Sequence, residues 1–117
     1  MAYINPNKRE TLHEIADSID NHPESSDRLD DLAKRVQLNP HYVNRLFKNM
    51  YGLPIQKYRC AARIKRAKWM LCETDMAITD IALQLNFSTG QHFSNTFKRE
   101  VGLSPQDYRK LNKKVES

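Results

Sequence analysis

The stretch that decides the fold is FKNMYGLPIQKYR at residues 47–59, which recurs as FKREVGLSPQDYR at residues 97–109. Identical residues stand at an offset of 50 throughout: Phe47, Lys48, Gly52, Leu53, Gln56, Tyr58 and Arg59 match Phe97, Lys98, Gly102, Leu103, Gln106, Tyr108 and Arg109. A fixed-period repeat indicates that one supersecondary unit is used twice.

A short amphipathic run precedes each copy, at residues 29–36 and 78–85. Each run carries an alanine, Ala33 and Ala82, and these two align at an offset of 49 because the second copy contains one extra residue, Gly90. Two short helical runs separated by a tight, non-apolar turn are typical of a helix-turn-helix. The repeat therefore predicts two DNA-reading units on one chain.

Apolar periodicity and capping signals predict an all-α fold of about seven helices. Apolar residues at positions 12, 15, 16 and 19 form a helical stripe that Pro23 ends. Asn39 and Ser104 are predicted N-caps, each followed by a proline at the first helical position. No apolar alternation suggests a strand. The predicted helices cover residues 8–21, 29–36, 40–51, 54–74, 77–85, 89–101 and 105–113.

The net charge of +5 is divided unevenly along the chain. Residues 1–31 hold three bases and eight acids, a balance of −5, whereas the remainder holds 16 bases and six acids, a balance of +10. This polarity favours a polyanion-binding body with its acidic end turned away from the ligand. A solvated cationic face, common in soluble domains, is the competing interpretation.

Several function classes find no support in the sequence. No apolar stretch approaches the roughly 20 residues that span a bilayer, and residues 1–10 lack the apolar core of a secretory signal. Cys60 and Cys72 would lie about 18 Å apart on one helix, beyond disulfide reach, which favours a reducing cytosol. No phosphate loop, nucleophile motif or metal constellation is present, so we expect no enzyme, no cofactor and no metal.

The C-terminal half also carries a specific pattern of residues: Arg63, Ile64, Ala67, Met70 and Leu71, followed by Ile78, Ile81, Ala82, Phe87, Phe93, Phe97, Lys98, Gly102, Ser104, Pro105, Tyr108 and Arg109. With these residues the chain resembles the DNA-binding region of the AraC/XylS family of bacterial transcription regulators. The resemblance extends over residues 8–112 and includes single-domain members of the family.

The resemblance implies two helix-turn-helix subdomains, residues 1–53 and 75–117, joined by a linker helix at residues 54–74. It implies that their recognition helices enter successive major grooves on one face of double-stranded DNA. A helix of about 20 residues is about 30 Å long, and successive grooves recur about every 34 Å, so the linker is a plausible spacer. Because two non-identical units lie head to tail, we predict a bipartite, asymmetric site bound by a monomer, unless a missing domain dimerises.

Side chains on the two recognition helices are the predicted DNA contacts. The residues predicted to reach bases are His41, Tyr42, Asn44, Arg45, Gln91, His92 and Asn95. Those predicted to contact the DNA backbone are Lys48, Thr89, Lys98 and Arg99. Arginine can bind guanine bidentately, and asparagine or glutamine can bind adenine in the same way. Better-studied relatives carry tryptophan in place of His41 and arginine in place of Asn95, so their base preferences do not transfer.

Other residues of interest have simpler predicted roles. The residues predicted to face the core are Val43, Leu46 and Phe47 in the first recognition helix and Phe93, Thr96 and Phe97 in the second. Trp69 is predicted to pack rather than stack on a base. Gly90 offers no side chain and mildly weakens the start of its helix, so the second unit should bind DNA less tightly. The cationic run at Lys57, Arg59, Arg63, Lys65, Arg66 and Lys68 is predicted to be a solvated face, except that Arg63, which matches the family's linker arginine, is expected to be structural and to bridge to an acid in the first subdomain.

The resemblance implies a cytoplasmic, nucleoid-associated transcription regulator, an activator by preference, with RNA polymerase as a protein partner. The alternative is a protein-interaction module that contacts RNA polymerase or a partner regulator and has only non-specific affinity for DNA. The sequence leaves open whether the chain is a stand-alone regulator or the excised DNA-binding domain of a longer one, and we favour the excised domain slightly.

Overall fold

The computed structural model of the chain describes residues 6–25 and 39–113, and within these residues the fold is all-α. The helices are α1 (Pro6–Asn21), α2 (Pro40–Tyr51), α3 (Ile55–Glu73), α4 (Ile78–Gln84), α5 (Gly90–Val101) and α6 (Pro105–Asn112). The predicted fold class is confirmed, and these six helices agree with the predicted ones to within two residues at each end. The helix predicted at residues 29–36 lies outside the described residues.

The chain divides into two compact units, residues 1–62 and 63–117, and the boundary falls inside α3. In the first unit, α1 contributes Leu12, Ile15 and Ile19 to a core that also contains residues from α2 and the start of α3. These α1 positions recur at helical spacing, so α1 turns its apolar stripe toward α2.

The sequence repeat is a structural repeat. Residues 40–51 of α2 correspond to residues 90–101 of α5 at the same offset of 50. Each helix ends at a glycine in the left-handed conformation, Gly52 with φ 84° and Gly102 with φ 92°, and each glycine N–H donates to a lysine carbonyl one turn earlier. Glycine adopts this conformation without a Cβ clash, which explains its place in the repeat.

An aromatic pair holds the repeated helix against the helix that follows it in each unit. Phe47 and Tyr58 meet edge to face with ring centroids 5.2 Å apart, and Phe97 and Tyr108 meet in the same way at 5.4 Å. Both phenylalanines are fully buried, as predicted. The repeat in sequence therefore encodes the same helix packing twice.

The two ends of α3 are bound by side chains from other helices. At its start, Asn44 Oδ1 accepts a hydrogen bond from Ile55 N–H at 2.9 Å. Near its end, Arg109 donates from Nε to the carbonyl of Leu71 at 3.1 Å and from Nη2 to the carbonyl of Thr74 at 3.3 Å. These contacts satisfy backbone groups that a helix leaves unpaired at its termini.

Two predictions about α3 are wrong. Arg59 is only 6% exposed rather than part of a solvated face, because it lies one turn after the buried Ile55. Trp69 is 55% exposed rather than packed, because it lies on the side of α3 opposite the buried residues Ala67 and Leu71. The exposed indole of Trp69 has a cationic neighbour on the same helix, because the Arg66 guanidinium lies 5.4 Å from its ring centroid. Neither cysteine forms a disulfide, as predicted, and both are half-buried.

Candidate nucleic-acid interface

The outward face of α2 is formed by His41, Arg45 and Lys48, which are all exposed. They follow one another at spacings of four and three residues, which places them on one stripe of the helix. The opposite side buries Val43, Leu46 and Phe47, as predicted. Because α2 contains no acidic residue, this stripe is cationic without an acidic partner on the same helix.

Tyr42 and Asn44, also predicted to reach bases, are half-buried beside this stripe. Tyr42 packs against the core of the first unit. Asn44 uses its side-chain oxygen to bind the start of α3, which leaves its amino group and one lone pair of that oxygen for another partner. The structure thus gives Asn44 a role within the protein that the sequence analysis did not include.

The outward face of α5 is formed by Gln91, His92 and Asn95, with Lys98 and Arg99 in the last turn, and all five residues are exposed. The buried residues are Phe93, Thr96 and Phe97, as predicted. Arg99 Nε lies 3.4 Å from the Glu100 carboxylate, an exposed ion pair. Such a pair contributes little stability and can rearrange when a ligand approaches.

Hydrogen bonds order the first two turns of α5. Thr89 is the N-cap, and its hydroxyl accepts from His92 N–H at 2.9 Å. Ser88 Oγ lies 3.1 Å from His92 Nδ1, and the imidazole also meets the Phe87 ring edge to face. Gln91 Nε2 donates to Asn95 Oδ1 at 2.9 Å. Gln91, His92 and Asn95 therefore each have a hydrogen-bond partner within this part of the protein.

The two faces carry different residues at equivalent positions. His41 corresponds to Gln91 and Arg45 to Asn95, whereas lysine occupies both positions 48 and 98. The repeat therefore keeps the cation in the last turn and changes the side chains nearer the helix start. Within the described residues, no group of histidine, cysteine and acidic side chains could hold a metal ion.

The hydrogen bond between Asn44 and Ile55 was not predicted, although the repeat contains a signal for it. Ser104 caps α6 by accepting from Asp107 N–H at 3.1 Å, but its counterpart in the first copy is Pro54, which has no hydroxyl. Asn44 on α2 instead accepts from Ile55 N–H, whose counterpart in the second copy, Pro105, has no N–H. The mismatch between Pro105 and Ile55 is the signal in the repeat, because it gives the start of α3 a backbone donor that the start of α6 lacks.

Comparison with known proteins places this arrangement in a family. The family model described as a helix-turn-helix domain matches residues 32–111. An AraC-type DNA-binding domain structure from Chromobacterium violaceum is 28% identical, with a TM-score of 0.81 over 96% of this chain and all of that one. The chain belongs to the AraC/XylS family.

Two further relatives fit this membership. The C-terminal domain of AraT, a response regulator from Geobacillus stearothermophilus, is 26% identical with a TM-score of 0.85, covering 98% of this chain and 93% of that one. The transcriptional activator RhaS from Yersinia pestis is 35% identical over 98 residues, which is 84% of this chain. The chain spans 36% of the length of RhaS. No described helix is both long and apolar enough to cross a membrane.

Proposed function

We propose that this chain binds double-stranded DNA sequence-specifically and regulates transcription, with α2 and α5 as the recognition helices. The observation that carries the proposal is that both helices, built on the same repeat, turn polar and cationic side chains outward while their apolar sides are buried. A major groove admits one α-helix with side chains of this kind. The relation to AraC-type domains and to a transcriptional activator supports the proposal.

The outward residues divide between base and phosphate contacts. Arg45 is the strongest candidate for a base contact, because a guanidinium can bind guanine bidentately. His41, Gln91, His92 and Asn95 are further candidates, and Tyr42 and Asn44 lie at the margin of the face. Lys48, Lys98 and Arg99, near the C-terminal ends of the two helices, are assigned to phosphates, as is Thr89 at the N-cap.

The preferred site is bipartite and asymmetric. Equivalent positions of the two helices carry different side chains, so the two half-sites differ in sequence, while the shared lysines contact phosphates whatever the sequence. A monomer suffices to contact both half-sites. By its relation to RhaS we infer an activator, for which RNA polymerase is the expected protein partner.

Selection of the purified chain against a random duplex library near physiological salt tests this proposal. Sequencing of the bound pool should give two different informative blocks, about one helical turn apart. A single informative block would mean that one of the two helices contacts only the DNA backbone. No enrichment would contradict sequence-specific binding and favour a protein-interaction module with non-specific affinity for DNA.

A further inference from the structure

Gln91 and Asn95 form a side-chain pair on the outward face of α5. Gln91 is the second residue of the helix and Asn95 lies one turn later, with Gln91 Nε2 2.9 Å from Asn95 Oδ1. Both side chains are exposed. The pair therefore gains little from burial, and its distinctive property is that a hydrogen bond joins two amides on the face proposed to meet DNA.

We propose that Gln91 recognises an adenine in the major groove and that Asn95 is a positioning residue that holds the Gln91 amide in the reading orientation. This inference rests on the proposed function and assigns a base to one of its contacts. Gln91 is the better candidate for the base because residues near the start of a recognition helix are the ones that reach base edges.

The chemistry of the amide explains the choice of adenine. A glutamine amide has two N–H donors, and Asn95 Oδ1 takes one of them. When Asn95 takes the N–H that is trans to the Gln91 oxygen, the remaining N–H and the carbonyl oxygen stand side by side as a donor and an acceptor. Adenine presents the complementary pair, the N7 acceptor and the N6 donor, whereas guanine presents two acceptors and would leave the glutamine oxygen facing O6.

Gln91 still presents a donor and an acceptor to the base if Asn95 is the donor and Gln91 the acceptor in their hydrogen bond. With Asn95 donating to Gln91 Oε1, that oxygen keeps a second lone pair and Gln91 Nε2 keeps both of its protons. In either arrangement the long Gln91 side chain is ordered before DNA arrives, so less rotamer entropy is lost on binding. Asn95, one of the candidates for a base contact above, is thereby assigned to act on recognition through Gln91 instead of touching a base itself.

The experiment measures the affinity of four proteins for the selected duplex and for altered duplexes. Each altered duplex changes one A·T pair in the block of the selected sequence that α5 is proposed to contact, called the α5 block. The proteins are the wild type, Gln91→Ala, Asn95→Ala and Asn95→Asp. At one A·T pair the wild type should discriminate against G·C by about tenfold or more, and against 7-deazaadenine, which lacks the N7 acceptor. Gln91→Ala should abolish this discrimination.

The two Asn95 variants separate positioning from simple structure. Asn95→Ala should lower the discrimination several-fold while the thermal midpoint stays unchanged, because the side chain is exposed. Asn95→Asp keeps an acceptor for Gln91 Nε2, so it should retain the discrimination while its charge weakens binding to all duplexes alike.

Two results would overturn the inference: full discrimination by Asn95→Ala, or equal loss of discrimination in Asn95→Ala and Asn95→Asp. If Gln91→Ala changes the discrimination at no A·T pair of the α5 block, the inference is also overturned, but the proposed function still stands. A wild-type chain that selects no sequence would overturn both.

Discussion

Arg45 and Lys98 are both outward-facing cations, but they should contribute to DNA binding in different ways. Arg45→Ala removes a predicted bidentate contact and should cost about 1–3 kcal/mol on the selected duplex, relaxing one base position. Lys98→Ala should weaken binding to all sequences alike. It should also lower by about 1 the slope of the logarithm of the binding constant against the logarithm of the salt concentration. Titration of both variants against selected and scrambled duplexes at several salt concentrations measures these effects. Equal losses on the two duplexes for Arg45→Ala would contradict the base contact.

Asn44 illustrates how one residue can have two competing roles. Because its oxygen caps the first N–H of α3, Asn44→Ala should lower the free energy of unfolding by about 1 kcal/mol. Asn44→Asp is the matched control, since it keeps the acceptor and should retain most of that stability. Denaturant unfolding of the three proteins measures the effect. If Asn44→Ala instead changes base preference without changing stability, the predicted base contact is its main role.

Tyr58 makes the first unit sensitive to alkaline pH. Burial, followed by the hydrogen bond to Asp20 at 2.9 Å, raises the pKa of Tyr58 from 10.0 to about 12. The folded state therefore holds the phenol proton more tightly than the unfolded state. The resulting stabilisation is fully present below pH 10 and is lost as the pH rises through the folded pKa.

Tyr58→Phe removes this contribution, so the stability difference between wild type and variant should shrink between about pH 10 and about pH 12. Denaturant unfolding across this range measures it. Burial also raises the pKa of Tyr108, but this residue is present in both proteins, so its effect cancels in the difference. Burial raises the pKa of Tyr51 as well, and Tyr51 is one of the groups that raise the pKa of Tyr58, so the measured difference includes the interaction between these two phenols. A constant difference across the range would show that Tyr58 does not titrate as described.

At the scale of single residues, the sequence predicted which sides of α2 and α5 are buried. It did not predict the burial of Arg59, the exposure of Trp69 or the hydrogen bond from Ile55 N–H to Asn44. The first prediction needs only helical periodicity, which both helices show clearly. Arg59 and Trp69 lie on α3, where charged and apolar residues are mixed around the helix, so periodicity alone gives no clear buried side.

The helix ends are the best-predicted elements of the fold. Asn39 and Ser104, the two predicted N-caps, each accept a backbone N–H at a helix start, and Gly52 and Gly102 end the repeated helices. Thr89, predicted as the first residue of its helix, is the N-cap of that helix. These are local interactions whose residue preferences are strong, so the boundaries can be read without tertiary information. The cap supplied by Asn44 to α3 comes from another helix and could not be read in this way.

The three glycines should respond to alanine with opposite signs. Gly52→Ala and Gly102→Ala force a side chain into the left-handed region and should each cost about 1–2 kcal/mol, although nothing lies within 4 Å of the new Cβ. Gly90→Ala should instead stabilise by about 0.4–1 kcal/mol. Its Cβ would lie 3.5 Å from the Thr79 methyl, an ordinary contact.

Thermal or denaturant unfolding of the three variants measures these changes. Gly52→Ala and Gly102→Ala test the two copies of the repeat separately, since each glycine ends one of the two equivalent helices. Gly90→Ala serves as the control for the substitution itself. Destabilisation by Gly90→Ala, comparable to the other two, would mean that backbone strain at positive φ is not the cause.

At the scale of the whole molecule, the repeat predicted two similar units on one chain, and the chain divides into two compact units. The same offset relates α2 to α5, the glycines that end these helices and the two Phe–Tyr pairs. The spacing of the two units on DNA is a different matter, because it depends on the helix that passes from one unit into the other. A repeat in sequence carries no information about that distance.

We propose that α3 sets the spacing of the two half-sites. It is one helix of 19 residues, about 28 Å long, compared with about 34 Å between successive major grooves. Inserting about 5 base pairs between the two blocks turns them to opposite faces of the duplex, and about 10 base pairs restores the face but doubles the span.

If α3 sets the spacing as proposed, the chain should tolerate neither insertion. With only one unit able to engage, affinity should fall about 100-fold or more in both cases. The same insertions placed outside the two blocks are the control and should have no effect. Titration of the chain against these duplexes decides between two kinds of connection, because a flexible one would recover affinity when a full turn is added. Recovery with about 10 inserted base pairs would therefore contradict a spacing set by α3.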